Sequence, residues 1–137
     1  MAIEDALFSL ITQASSLQAI FGTGMWLFPT RFPDNAPFPN AVYNKVAEVT
    51  EETILGSSGF VASNFQLDVF TRDYSQGQSA VTALRTLLYG YRTQTPGNGV
   101  VIQGITEFKT TYSYDPETQL MRWLNDFRVW YGLQSLP

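Results

Sequence analysis

Two carboxylates are the strongest candidates for chemistry in the 137-residue sequence. Asp68 and Asp126 fall on the polar faces of two predicted strands, and two carboxyl groups held close together can perform general acid–base catalysis. Arg122 and Arg128 share the polar face of the later strand, so cross-strand ion pairs explain the same residues. Because carboxylates with perturbed pKa values also occur in ordinary ion-pair networks, we favour the structural interpretation over a catalytic one.

The sequence lacks the two residue types on which most catalytic and metal sites depend. It contains no histidine and no cysteine, which excludes Ser-His-Asp and Cys-His nucleophiles, disulfides and nearly every zinc, copper or non-haem iron site. The glycine loops Gly22-Thr23-Gly24 and Gly97-Asn98-Gly99 match neither a dinucleotide fingerprint nor a Walker motif, so we interpret both as turns. No catalytic residue, metal or organic cofactor is predicted.

The charge balance points away from nucleic acid and towards protein partners. Twelve acidic and eight basic residues give a net charge of -4, which argues against a surface that neutralises many phosphates. Charged residues make up 15% of the chain and aromatic residues another 15%, so much of the surface is neutral or apolar and suits contact with another protein. The acidic N-terminus and the lack of a long apolar run predict neither a secretory signal nor a membrane span.

Hydrophobic periodicity predicts two main helices and about five strands. Apolar residues recur at helical spacing over residues 2–15 and 80–91, and Ser75 and Gln78 have the spacing of a capping box before the second helix. Residues 16–21 add a turn of helix. Strands are predicted at residues 25–28, 41–49, 60–71, 100–112 and 120–131, with a bulge at Gly104.

The order of these elements predicts an α+β fold. We expect a two-layer sandwich in which a mainly antiparallel sheet of about five strands carries two helices on one face. The sequence shows no internal repeat and no linker, so residues 1–137 are expected to form a single domain. Residues 132–137 are predicted to be a flexible tail.

The segment from Glu51 to Phe60 is predicted to connect two strands as a polar insertion. It contains two apolar residues, Ile54 and Leu55, and ends in a glycine- and serine-rich run. Such a segment either folds back on its own domain or becomes ordered against a neighbouring molecule. Loop composition does not separate these alternatives.

The last predicted strand has one apolar and one polar face. Arg122, Asp126 and Arg128 point away from the helices, together with Trp130, which is costly to leave in water. A sheet face that its own helices leave bare is either solvated or used for contact. We expect Arg128 to pair with Asp68 or with an acid across an interface. The candidate assembly contacts are Ile54, Leu55, Arg122, Asp126, Arg128 and Trp130.

Several segments carry a family resemblance. They are Ala6-Leu7-Phe8, Phe38-Pro39-Asn40-Ala41-Val42-Tyr43, Phe65-Gln66-Leu67-Asp68-Val69-Phe70, and the C-terminal hairpin, which runs Tyr114-Asp115-Pro116-Glu117-Thr118-Gln119-Leu120-Met121-Arg122 and then Asp126-Phe127-Arg128-Val129-Trp130-Tyr131. These segments resemble the tail-completion or tail-terminator proteins of long-tailed bacteriophages. The resemblance covers nearly the whole chain and is most specific in the C-terminal hairpin.

The resemblance implies a structural role in the virion and no enzymatic activity. It implies a homohexameric ring, formed in the host cytoplasm, that caps the head-proximal end of the tail tube, stops its polymerisation and forms the head–tail joint. The implied partners are other copies of the chain, the major tail-tube protein and a neck or head-completion protein, while DNA passes through the ring without specific binding. Two alternatives remain open: a neck or head-completion protein on the portal side, and a monomeric ligand-binding module.

Overall fold

The computed structural model describes residues 3–22, 24–53, 56–92 and 100–133. Along this part of the chain two helices precede three strands, and a third helix precedes the last two strands, which is the predicted α+β order. None of the described helices has the length and apolarity needed to cross a membrane. The elements are α1 (Ile3–Thr12), α2 (Ser15–Phe21), β1 (Leu27–Pro29), β2 (Asn40–Thr53), β3 (Gly56–Thr71), α3 (Tyr74–Leu88), β4 (Val100–Asp115) and β5 (Leu120–Leu133).

The strands form one sheet in the order β1-β2-β3-β5-β4. β1 runs parallel to β2, and the other neighbouring strands are antiparallel. The predicted mainly antiparallel sheet is therefore confirmed. The turn of helix predicted at residues 16–21 is the separate helix α2, and β5 continues to Leu133, two residues into the predicted tail. Residues 134–137 lie outside the described part of the chain.

The helices and one face of the sheet form a single hydrophobic core, and this face is called the inner face below. Phe65 of β3 stacks against Phe127 of β5, and Phe127 in turn stacks against Phe108 of β4, with ring centroids 6.0 and 5.7 Å apart. Burying such a side chain stabilises the fold by about 1.5–3 kcal/mol. The helices contribute Ile3, Leu7, Ile11, Leu17, Ala80, Val81, Leu84 and Leu88 to this core.

Helix α3 approaches β5 closely at Gly77. A Cβ atom at this position would overlap the indole ring of Trp123, so only glycine allows the helix to lie at this depth. The indole Nε1 also donates a hydrogen bond of 3.4 Å to Thr71 Oγ1. Gly77 therefore sets the spacing between the helix layer and the sheet.

The predicted capping box of α3 is wrong. Asp73 is the N-cap, and its carboxylate accepts hydrogen bonds from the backbone N–H groups of Ser75 and Gln76 at 2.9 and 3.3 Å. Gln78 instead donates to the Tyr74 hydroxyl at 2.8 Å. A carboxylate at a helix N-terminus makes charge-assisted hydrogen bonds and also interacts favourably with the helix dipole, which explains why Asp73 takes the place predicted for Ser75.

The segment predicted as an insertion between two strands is largely a continuation of those strands. β2 extends to Thr53 and β3 begins at Gly56, and these two residues pair with each other. Backbone pairing across the two strands outweighs the polar composition from which a loop was predicted. The last β3–β5 pair is Phe60 with Gly132, and beyond it Glu52 pairs with Ser57 and Thr53 with Gly56, so residues 52–53 and 56–59 form a two-stranded arm. Ile54 and Leu55 lie outside the described residues.

Both outer strands of the long antiparallel sheet carry bulges. On β4 the register shifts between Ile102 and Gly104, as predicted, and again between Thr106 and Lys109, where Glu107 has a φ of 59°. The second shift was not predicted. The first shift turns Ile105 into the core, where it is fully buried, and the second returns even-numbered residues such as Thr110 to the inner face.

Candidate assembly surface

The face of the sheet opposite the helices, called the outer face below, holds four of the six candidate contacts. Directly opposed residues of an antiparallel pair point to the same face, so the register defines the composition of this surface. Ile54 and Leu55 are the two candidates that the structure does not describe. On β3 and β5 the outer face carries Asn64, Gln66, Asp68, Phe70, Arg122, Leu124, Asp126, Arg128 and Trp130.

The chain itself covers one end of the outer face. Phe32, in the proline-rich segment between β1 and β2, packs edge-on against Phe70 with ring centroids 5.0 Å apart. Phe32 also contacts Phe38 at 5.5 Å, and the Arg72 guanidinium lies 5.0 Å from the Phe38 ring centroid. This aromatic cover leaves the rest of the outer face, from Arg122 towards Trp130, without a helix or loop of its own among the described residues.

Asp68 and Arg122 form the most buried ion pair described on the outer face. Arg122 Nε and Nη2 both donate to Asp68 Oδ2, at 3.0 and 2.6 Å. Asp68 is only 7% exposed, whereas the Arg122 side chain is 48% exposed. The second carboxylate oxygen, Oδ1, is buried and has no hydrogen-bond partner among the described residues.

The electrostatic surroundings of Asp68 favour its protonated form. Burial raises the pKa of Asp68, the hydrogen bond and positive charge of Arg122 lower it, and the negative charge of Asp126 raises it again. The net effect is a pKa above the usual value for an aspartate. The two carboxylates identified from the sequence therefore do influence each other, as diagonal neighbours on one face.

Arg128 does not pair with Asp68, so that part of the sequence prediction is wrong. Its Nε donates to Asn64 Oδ1 at 3.0 Å and lies 3.2 Å from Glu107 Oε2. The register explains the choice of partner, because Asn64 lies directly opposite Arg128 while Asp68 lies opposite Leu124. Arg122, one step diagonal from Asp68, takes the predicted role.

Trp130 is tied to its neighbours on the same face. Its Nε1 donates to Thr106 Oγ1 at 3.2 Å, and the Arg128 guanidinium lies 5.6 Å from its ring centroid. The polar edge of the indole is therefore satisfied within the chain. The remaining exposed ring surface is apolar and available for contact.

Asp126 differs from every other charged residue at the centre of this face. It lies opposite Gln66 on β3 and Lys109 on β4. Within the described part of the chain its carboxylate makes neither a hydrogen bond nor an ion pair, although the residue is partly buried. An unpaired carboxylate in such a position carries a desolvation cost that no contact within the fold offsets.

A depression of about 310 Å³ surrounds Asp126 and is called the trough below. It crosses four strands, because β2 bulges between Lys45 and Ala47 and β4 bulges between Thr106 and Lys109 at the same level of the sheet. Val46, at the β2 bulge, is 57% exposed. The lining residues are Val46, Asn64, Phe65, Gln66, Glu107, Asp126, Phe127 and Arg128.

The trough contains two residues that sequence reasoning missed, Val46 and Glu107. Neither follows from the alternation of polar and apolar residues, because each lies at a bulge where that alternation shifts by one position. In the backbone, the two places are marked by the register shifts of β2 and β4 and by the positive φ at Glu107. The described residues contain no group of three carboxylates, histidines or cysteines arranged to hold a metal ion.

The sequence matches one known protein family over most of its length. The family model for tail completion protein gp17 matches residues 5–132. The chain belongs to this family. The family resemblance of the hairpin and strand segments is thereby confirmed, and the protein is a structural component of a phage-type tail.

Two solved structures share the architecture of this chain. A chain from the virion of a native gene transfer agent particle superposes with a TM-score of 0.78 at 15% identity, covering 96% of this chain and 95% of that chain. A second solved chain superposes with a TM-score of 0.53 at 13% identity, covering 100% of this chain and 99% of the other. No curated protein matches the sequence. At these identities the likeness to the solved chains concerns the fold.

Proposed function

We propose that this tail completion protein forms a homohexameric ring on the head-proximal end of the tail tube, where it stops tube polymerisation and joins the tail to the neck. The observation that carries the proposal is the family match over residues 5–132. The shared fold with a chain of a phage-like virion supports it. In this role the protein has no catalytic activity and no cofactor.

The outer face and the arm are suited to repeated contact between copies. A ring with cyclic symmetry needs two different surfaces on each copy, one that meets the copy before it and one that meets the copy after it. The outer face offers Arg122, Asp126, Arg128 and Trp130 as contacts. The arm, at the other end of the β2–β3 hairpin, carries Ile54 and Leu55 between its two strands in the sequence, and we assign these residues to a contact with a neighbouring copy or with the tube.

The charge of the protein fits a channel through which DNA moves. Each copy has a net charge of -4, and a wall that releases no counterions from DNA has little affinity for it. The partners in this proposal are therefore proteins: other copies of the chain, the major tail-tube protein and a neck protein. DNA passes through without specific binding.

The proposal is tested with tail tubes made in the absence of this protein. Added wild-type protein should form a ring at one end of each tube in negative-stain images and should narrow the distribution of tube lengths when it is present during assembly. Rings found on isolated portals and not on tubes would assign the protein to the neck. A protein that binds neither structure as a ring would refute the proposal.

A further inference from the structure

The charges around the trough do not balance within one chain. Arg122 is held by Asp68, and Arg128 is held by Glu107 and Asn64. Asp126 is left over, next to the buried Asp68 and without a partner of its own among the described residues. The centre of the outer face therefore carries one more carboxylate than the fold neutralises.

Lys109 is the nearest candidate within the chain, since it lies directly opposite Asp126 in the β4–β5 register. The structure shows no ion pair between the two, and Lys109 is exposed. The β4 bulge ends at Lys109, and a bulge changes the local twist of its strand. Lys109 is included below as a control for an intrachain pair.

The shape of the trough suits a long basic side chain. Its volume of about 310 Å³ is that of one or two side chains, and the exposed Val46 at its rim provides an apolar wall. Lysine and arginine bury an aliphatic stem against apolar surface while the charged head reaches a carboxylate. A charge-assisted hydrogen bond to Asp126 would offset the desolvation cost that this carboxylate carries in the monomer.

We propose that the trough, through Asp126, binds a lysine or arginine side chain of a neighbouring copy in the ring. This inference rests on the ring described under Proposed function. We take a second copy as the occupant, because a heterologous cyclic contact joins two different surfaces of the same chain. That surface can supply the complementary charge, since Arg31 and Arg92 are exposed and form no ion pair among the described residues.

The proposal predicts that stability and assembly respond in opposite directions. Asp126→Asn removes the repulsion between positions 126 and 68 and leaves the monomer at least as stable as the wild type. The same substitution removes the acceptor for the incoming cation and should reduce ring occupancy on tubes about tenfold or more. A residue that only supports the fold would lower both quantities together.

The first experiment compares Asp126→Asn with two matched single-site controls. Glu117→Gln removes an exposed carboxylate in the β4–β5 turn, outside the trough, and Lys109→Gln removes the opposed lysine. Urea unfolding of the free protein and the fraction of tubes with a ring are measured for each. We expect both controls to behave as the wild type. Equal destabilisation by Asp126→Asn and Lys109→Gln would show an intrachain pair and overturn the proposal, as would normal ring occupancy of Asp126→Asn.

The second experiment identifies the cation by charge reversal. Asp126→Arg should abolish rings, and combining it with either Arg31→Asp or Arg92→Asp in the same chain should restore them. Failure of both combinations would exclude Arg31 and Arg92 as the occupant and would overturn the proposal in this form. Absence of rings with wild-type protein would instead refute the proposed function, so the two failures are distinguishable.

Discussion

The inner and outer faces of the same sheet are organised by different requirements. On the inner face, Phe65, Phe108 and Phe127 stack across three strands and lie against the helices. On the outer face, Asp68 has one buried oxygen without a partner and Asp126 has no partner among the described residues. The inner face packs its aromatic rings within one chain, whereas the outer face leaves these carboxylate oxygens without partners among the described residues. Carboxylates without hydrogen-bond partners inside the fold are suited to contact with another protein.

The largest expected difference between the faces is in the loss of stability caused by one aromatic substitution on each face. Phe65→Ala removes a fully buried ring from the inner face and should lower the free energy of unfolding by about 3–5 kcal/mol. Trp130→Phe on the outer face keeps an aromatic ring and loses one exposed hydrogen bond, so the expected loss is below about 1 kcal/mol. Urea unfolding followed by fluorescence measures both, and similar losses would contradict the division between the faces.

A substitution at the boundary between helix and sheet tests how tightly the inner face is packed. Gly77→Ala adds a Cβ atom against Trp123, and overpacking of this kind costs about 1–3 kcal/mol. Serine at exposed position 79 provides a control, because Ser79→Ala in the same helix adds no atom to the core. Thermal unfolding of the two variants compares them directly. An unchanged melting temperature for Gly77→Ala would show that the helix layer shifts freely.

A substitution of Arg128 tests whether the outer face contributes more to assembly than to the stability of the free protein. Its ion pair with Glu107 is largely exposed and its hydrogen bond to Asn64 is partly buried, so Arg128→Ala should lower the free energy of unfolding by about 1 kcal/mol at most. The yield of joined particles should fall by a larger factor, because a partly buried arginine at an interface contributes more than the same residue in water. A strong loss of monomer stability with normal assembly would assign Arg128 to the fold alone.

The smallest expected effect concerns the pH dependence of stability. The pKa of Asp68 is raised above 3.8, first by burial and also by the Asp126 charge, with Arg122 opposing both. A carboxyl group whose pKa is higher in the folded state holds its proton more tightly there, so its contribution to stability falls as the pH rises from about 3.8 through the folded pKa. Asp126→Asn should lower the pKa of Asp68 and weaken this fall. Carboxyl NMR titration measures the change, and an unchanged Asp68 pKa would disprove the coupling.

The parts of the fold that were predictable from the sequence are those governed by a regular period. The alternation in β3 and β5 identified which residues face the helices, because one face of those strands is buried and the other is not. The same alternation placed Arg122, Asp126, Arg128 and Trp130 together on the opposite face. These residues lie where the sequence predicted because no bulge interrupts β5 against β3.

The features that were not predictable depend on register and on competition between neighbours. Which arginine meets Asp68 is decided by a diagonal in the β3–β5 ladder, and no residue in either strand encodes that offset by itself. The trough requires bulges on two strands that are far apart in sequence, at Val46 and at Glu107. The cap at Asp73 was missed because the spacing of Ser75 and Gln78 is an equally valid local signal.

The aromatic cover formed by Phe32, Phe38 and Phe70 makes the two ends of the outer face different. It covers the surface at the end near Arg122, so the bare part of the outer face lies towards Trp130. The two ends of this surface therefore differ, and a partner that lies along the strands meets different residues in its two possible orientations. In the proposed ring, this difference would give every contact between neighbouring copies the same direction around the ring.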